Sequence, residues 1–238
     1  MSKLTISGME LTVNRKDIKN LHISVLPPDG MVRVSVPLKM SEQAIRLAVI
    51  SKLAWIKKQK AEFASQLRQS DREMLYGESH YLWGHRYLLD IEFSQGKHSV
   101  VKASSKKLLL TVSEKTTHDK RLKLLNDFYR QEVKDHTEQL LEKWQRRLGV
   151  EALDWGVKKM KTKWGSCNIS SKRIWLNSEL AKKPPECLEY ILLHELVHLL
   201  ERHHNERFKA LMDKHLPDWR ERRDLLNRLP LAHDSWEY

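Results

Sequence analysis

The residues most able to do chemistry in this chain are His194-Glu195-Leu196-Val197-His198, with His204 six residues further on. On a helix, residues four apart lie on one face, one turn apart. His194 and His198 can therefore share one metal ion. Glu195, next along, can reach a metal-bound water and act as its base. Ile191-Leu192-Leu193 precede the pattern and Leu196, Val197, Leu199 and Leu200 surround it, so the helix is apolar nearly all round and should be buried. Two imidazoles and a carboxylate are costly to bury without partners. A bound metal supplies the reason; an internal hydrogen-bonded His–Glu cluster is the alternative.

A catalytic zinc site has three protein ligands and one open position. His204 is the best third ligand. A continuous helix would carry it ~9 Å further along the axis, so the chain must leave the helix near Leu200 and turn back. Glu201-Arg202-His203-His204-Asn205 is polar enough to do so. The long zinc motif with the same interval has glycine where this chain has Glu201. His203 and His215 are rival ligands, and Glu201 or Glu206 would give a two-His-one-Glu site. Three imidazoles favour zinc, one per chain, with other divalent ions possible.

These residues sit in a chain of 238 residues, 40% hydrophobic and 31% charged, with mean hydropathy −0.60. That excludes global disorder, and no apolar run approaches the ~18–20 residues of a membrane helix. The start lacks a signal-peptide core and the end a lipidation motif. The expectation is a soluble, cytoplasmic protein with no membrane partner. Cys167 and Cys187 are too few for a disulfide scaffold. The 43 Lys and Arg against 31 Asp and Glu give a formal charge of +12, which suits an anionic partner. Oligomeric state is not legible.

The elements that must position the site follow from periodicity. Met9–Val13, Leu21–Leu26 and Met31–Pro37 read as strands, the last two joined by Pro27-Pro28-Asp29-Gly30. Ser41 caps a helix predicted to run to about residue 68. Tyr81–Phe93 is a strand pair turning at Gly84, and Val100–Lys102 with Leu108–Val112 a further hairpin. A long helix covers 119–148, with Gly149 as its C-cap. Val157–Lys163 and Lys172–Leu176 read as two strands flanking Gly165-Ser166-Cys167-Asn168. Helices then follow Pro184-Pro185, Asn205 and Pro217. No internal repeat is visible. The fold class is α+β: a β-rich segment over 1–115, then a catalytic domain over 119–238 with a β-hairpin or sheet beside the metal helix.

His194–His198 followed by His204-Asn205-Glu206-Arg207-Phe208 resembles the YgjP-like metal-dependent hydrolases. Lys163-Trp164-Gly165-Ser166-Cys167 and Ile174-Trp175-Leu176-Asn177 look like that family's Trp-Gly-Ser-Cys hairpin. The Leu21–Pro37 hairpin, Lys52–Ile56 and Pro217-Asp218-Trp219 are similar too, so the resemblance spans about residues 9–225. It implies a zincin-like metallopeptidase domain, related in plan to SprT-like peptidases. It also implies His194, His198 and His204 as ligands, with Glu195 as the catalytic carboxylate. The chain departs from the family at His203, where Asn is common, and at Lys209, where an aromatic pair is common. Some members carry a uridine-triphosphate pyrophosphatase assignment.

Several further roles follow. Lys172–Asn177 can align an extended substrate by strand addition. Cys167 is assigned a structural or inhibitory contact. Lys161, Lys163, Arg202, Arg207 and Asn177 are candidate donors to transition-state charge. The function expected is zinc-dependent hydrolysis of a peptide bond. The alternatives are nucleoside triphosphate hydrolysis at the same site, and a basic nucleic-acid-binding module with a structural metal.

Overall fold

In the computed structural model, which describes residues 2–26, 30–65, 72–160 and 163–228, Ser7 and Gly8 both hold positive φ, at 51° and 75°. Two such residues make the type I′ turn whose twist matches flanking strands. They join β1 (Ser2–Ile6) to β2 (Met9–Lys16). β3 (His22–Leu26) and β4 (Met31–Pro37) form the predicted hairpin; residues 27–29 of its turn lie outside the described residues. The sheet order is β1-β2-β4-β3, with β2 and β4 parallel. Alternation buries Val32, Val34 and Val36 against Leu11, Val13, Ile45, Val49 and Ile56. The single helix expected from Ser41 is two: α1 (Glu42–Ser51) and α2 (Leu53–Ser65). The Ser51 hydroxyl donates to the Ala48 carbonyl at 2.8 Å, the local competition that breaks helices.

These residues form one compact unit and 72–228 a second. The second begins with β5 (Ser79–Leu82), β6 (His85–Phe93), β7 (Ser99–Lys102) and β8 (Lys107–Val112), followed by α3 (His118–Leu148). Sheet order β5-β6-β8-β7, parallel pairing of β6 with β8, and a turn with positive φ at Trp83 (49°) and Gly84 (79°) repeat the first unit. The first four strands and α1 start 76 or 77 residues before their counterparts. Buried Val32, Val34 and Val36 correspond to Leu108, Leu110 and Val112. The chain thus holds a repeat that the sequence conceals, because only seven of 64 positions match between 2–65 and 78–141. The polar/apolar pattern persists where residue identity does not.

The sequence pattern places a boundary at 115–119, whereas the compact units divide between residues 65 and 72. The second sheet shares one core with the helices that follow: Leu89, Leu108 and Leu110 belong with Leu125, Tyr129, Val133, Leu188 and Leu192. α3 presents its buried residues at 125, 129, 133, 137 and 141, a one-face stripe, and ends at Gly149 with φ 66°.

A three-stranded sheet follows, of β9 (Asp154–Lys158), β10 (Gly165–Asn168) and β11 (Arg173–Asn177), in the order β10-β11-β9. Two expectations are corrected here. β9 runs parallel to β11, so the hairpin is β10–β11 alone. β11 is also the central strand, paired on both sides, and cannot take the substrate by strand addition. A 3₁₀ turn (Ser178–Lys182) leads to α4 (Pro185–Val197), α5 (Glu206–His215) and α6 (Trp219–Arg228). Among the described residues no helix is long and apolar enough to cross a membrane.

The second module's first turn is anchored where the first module's is not. The Trp83 amide donates to the Ala181 carbonyl at 2.7 Å, and a Cβ at Gly84 would lie 2.9 Å from Pro184, at the start of α4. A Cβ at Gly8 would meet nothing within 4 Å. Gly8→Ala is expected to cost only the left-handed backbone, about 1 kcal/mol. Gly84→Ala should cost a further ~1–3 kcal/mol of overpacking. Chemical denaturation of the two variants side by side checks this.

Candidate metal centre

α4 is the most apolar helix here, and Cys187, Leu188, Tyr190, Ile191, Leu192, Leu193, Glu195, Leu196 and Val197 are all buried. It projects His194 and His198 from one face and ends there. The Leu199, Leu200 and Glu201 amides close tight turns onto the Leu196 and Val197 carbonyls. The chain then reverses through 201–205. Asn205 stops the reversal by accepting from the Phe208 amide at 3.0 Å, as the N-cap of α5.

The reversal brings His204 to the other two imidazoles. His204 Nε2 lies 3.0 Å from His194 Nε2, and one nitrogen from each of the three falls within 4.8 Å of the others. Two ligands of a tetrahedral zinc are ~3.3 Å apart, given Zn–N bonds of ~2.0–2.1 Å. The His198 Nδ1–H donates to the Glu201 carbonyl at 3.1 Å, which leaves its Nε2 lone pair available. Burial, then the neighbouring His198 and His204, lower the His194 pKa to about 3; burial also lowers that of His198. His194 Nδ1 is buried with no hydrogen-bond partner. Three imidazoles with converging nitrogens are the donor set a divalent cation needs.

The rivals stand elsewhere. His203 is exposed, and among the described residues the converging group is His194, His198 and His204 alone. His215 ends α5 beside Arg147 and Lys214, with its pKa lowered chiefly by burial. Glu201 accepts from the His203 amide at 3.2 Å, and Glu206 pairs with Lys209 at 2.6 Å.

Glu195 is 6% exposed. Burial raises its pKa to about 7, opposed by Lys163 and by a hydrogen bond from the Cys167 amide. β10 thus turns a backbone donor onto the carboxylate. Gly165 makes the approach possible: a Cβ there would sit 2.8 Å from Glu195 Cγ and Oε1. Cys167 lies outside the histidine group, and burial with Glu195 pushes its thiol up to about 11. Asn177 is no transition-state donor. Its side chain is spent on the Met160 and Lys163 carbonyls and the Met160 and Glu179 amides. Arg207 faces Glu201 at 3.9 Å and is exposed, as is Arg202. Lys161 lies outside the described residues.

Two contributors escaped the sequence reading. Phe208, 2% exposed, sets its ring centroid 4.9, 4.9 and 4.7 Å from the rings of His194, His198 and His204. One side chain therefore packs against all three imidazoles. Gly165 is the other; a glycine inside a strand is a signal of close approach.

A family model described as YgjP-like, metallopeptidase domain, matches residues 19–229. The metallopeptidase zymogen abylysin of Pyrococcus abyssi is 26% identical over 37% of this chain and 90% of its own, with a TM-score of 0.35. The zymogen jannalysin of Methanocaldococcus jannaschii is 24% identical over 40% and 92%, with a TM-score of 0.33. No curated protein matches the chain.

Two outcomes are expected. Phe208→Ala should weaken zinc affinity about 10–100-fold, as loss of ligand-orienting contacts does; chelator competition reads it. In the metal-free chain, burial disfavours ionised Glu195, whose folded pKa of about 7 exceeds the unfolded ~4.3. Stability must therefore fall as pH rises through that window. Glu195→Gln should stabilise the chelated protein by about 2–3 kcal/mol above pH ~8 and change little below pH ~4, as denaturant titrations would report.

Proposed function

The chain belongs to the YgjP-like metallopeptidase family, and on that premise we propose that it is a zinc-dependent peptidase, with His194, His198 and His204 as ligands and Glu195 as general base. The observation that carries this reading is the set of three converging imidazoles, with the buried carboxylate of Glu195 next to His194 in the chain. Bound zinc supplies Lewis-acid polarisation and acidifies water. Glu195 accepts a proton at a carboxylate oxygen. Its pKa, raised to about 7 by burial, suits a base working near neutrality. The Cys167 amide and the absent side chain at Gly165 hold that carboxylate in place. Lys163, whose charge acts on Glu195, is the described cation assigned to developing negative charge. β10, the outer strand of its sheet, replaces β11 as the strand along which an extended peptide aligns.

Three converging protein ligands with a buried carboxylate next to His194 in the chain favour catalysis over a structural metal, which normally takes four protein ligands. Zinc-loaded wild type and Glu195→Gln are compared on a peptide library and a nucleoside triphosphate panel, with metal content determined on both. The expected result is peptide cleavage by wild type, reduced by ~10²–10⁴ in Glu195→Gln at equal metal occupancy. Gly165→Ala should likewise lose turnover while keeping its metal. Pyrophosphate release without peptide cleavage would move the substrate to nucleotides at the same site.

A further inference from the structure

The two repeated modules differ at one place that their shared fold does not require. In the first, a groove runs between β3 and the α1–α2 pair. It is lined by Leu21, Ile23, Ala48, Ser51, Lys52 and Trp55, with a cavity of about 360 Å³. Among the described residues β3 is the outer strand of its sheet, and one side of its backbone has no strand partner there. Trp55 is 44% exposed. In the second module the pairing register puts Val100 in the place of Ile23, and His98 in the place of Leu21; on the helix, 76 residues on, Ser51 and Trp55 are replaced by Asp127 and Gln131. The groove's Lys52 is replaced there by Phe128, which packs against the core. The same strand order thus folds with a version of this surface that is filled from the helix side by Leu124 and Phe128. The open form of the surface, with an exposed tryptophan on its helix wall, is therefore not a requirement of the shared strand order.

We propose that this groove binds an extended, acidic peptide segment, which adds to the free edge of β3 as a fifth strand. An outer strand beside a helix offers main-chain hydrogen bonds along one wall and side-chain pockets along the other. Alternate residues of an added strand point to one face. Ile23 and Trp55 receive an aliphatic side chain there, and Lys52 pairs with a neighbouring carboxylate. Charge complementarity selects an acidic partner, since the first 65 residues carry 11 Lys and Arg against 5 Asp and Glu. The groove is built from residues of the first unit alone, so this assignment stands apart from the metal-centre reading. It gives the first unit a task of its own: capturing a polypeptide.

The test uses the full chain, stripped of metal by a chelator so that cleavage and metal binding do not enter. A fluorescein-labelled peptide of alternating Val and Glu is titrated, and its anisotropy followed. A Val/Lys peptide and an oligo-dT strand serve as competitors. The wild type should bind the Val/Glu peptide saturably, and amide exchange should slow across β3. Ile23→Ser combined with Trp55→Gln, which removes the apolar wall on both sides of the groove, should weaken binding roughly tenfold or more, as loss of an aromatic anchor does. Lys52→Glu, a change at an exposed position, should reverse the preference toward the Val/Lys peptide. Equal affinity of wild type and double variant, protection confined to other strands, or displacement by oligo-dT from β3 would each overturn the proposal.

Discussion

Everything around the histidines depends on burying an ionisable carboxylate in the most apolar helix of the chain. Glu195 sits among leucines on α4, where an unpaired charge is costly. The structure answers with backbone rather than with a cationic partner in contact. β10 brings the Cys167 amide onto the carboxylate, and Gly165 removes the side chain that would block the approach. A backbone donor carries no full charge, so it holds Glu195 in position without drawing its pKa from about 7 down to the ordinary carboxylate range. A bidentate arginine would have done so.

The same economy governs the imidazoles. Phe208 packs against three rings at once, and its position is set by the Asn205 cap that ends the reversal after α4. The turn that delivers His204 and the aromatic ring that supports it are thus one structural event. The other end of α4 is fixed differently. There the Trp83-Gly84 turn of the second module meets Pro184 and Ala181, so an element far away in sequence holds the start of the helix that carries His194 and His198.

The repeat gives that arrangement its context. Two modules share strand order, turn geometry and the apolar face of their fourth strand. The second has been absorbed into the metal-bearing unit and lends its turn to α4. The first keeps its own core, with its turn open and a groove beside β3 that its counterpart has filled. One fold thus serves as scaffold in one copy and presents a surface in the other.

What the sequence by itself determined was local. The spacing of His194 and His198 places them on one helical face, Ser41 and Asn205 announce helix starts, Gly149 announces an end, and Val32, Val34 and Val36 mark a half-buried strand. Each of these signals lies within a few residues of what it controls. His204 was legible because its loop had to turn and few ligands were in reach. The tertiary structure alone decided that β11 is a central strand, that β10 rather than β11 borders Glu195, that Phe208 packs against the imidazoles, and that residues 79–112 share a core with the metal-bearing helices. It also revealed the repeat. Contacts between segments tens of residues apart leave no periodic trace in either segment. The patterns of buried side chains that encode a fold also tolerate nearly complete replacement of the residues that carry them.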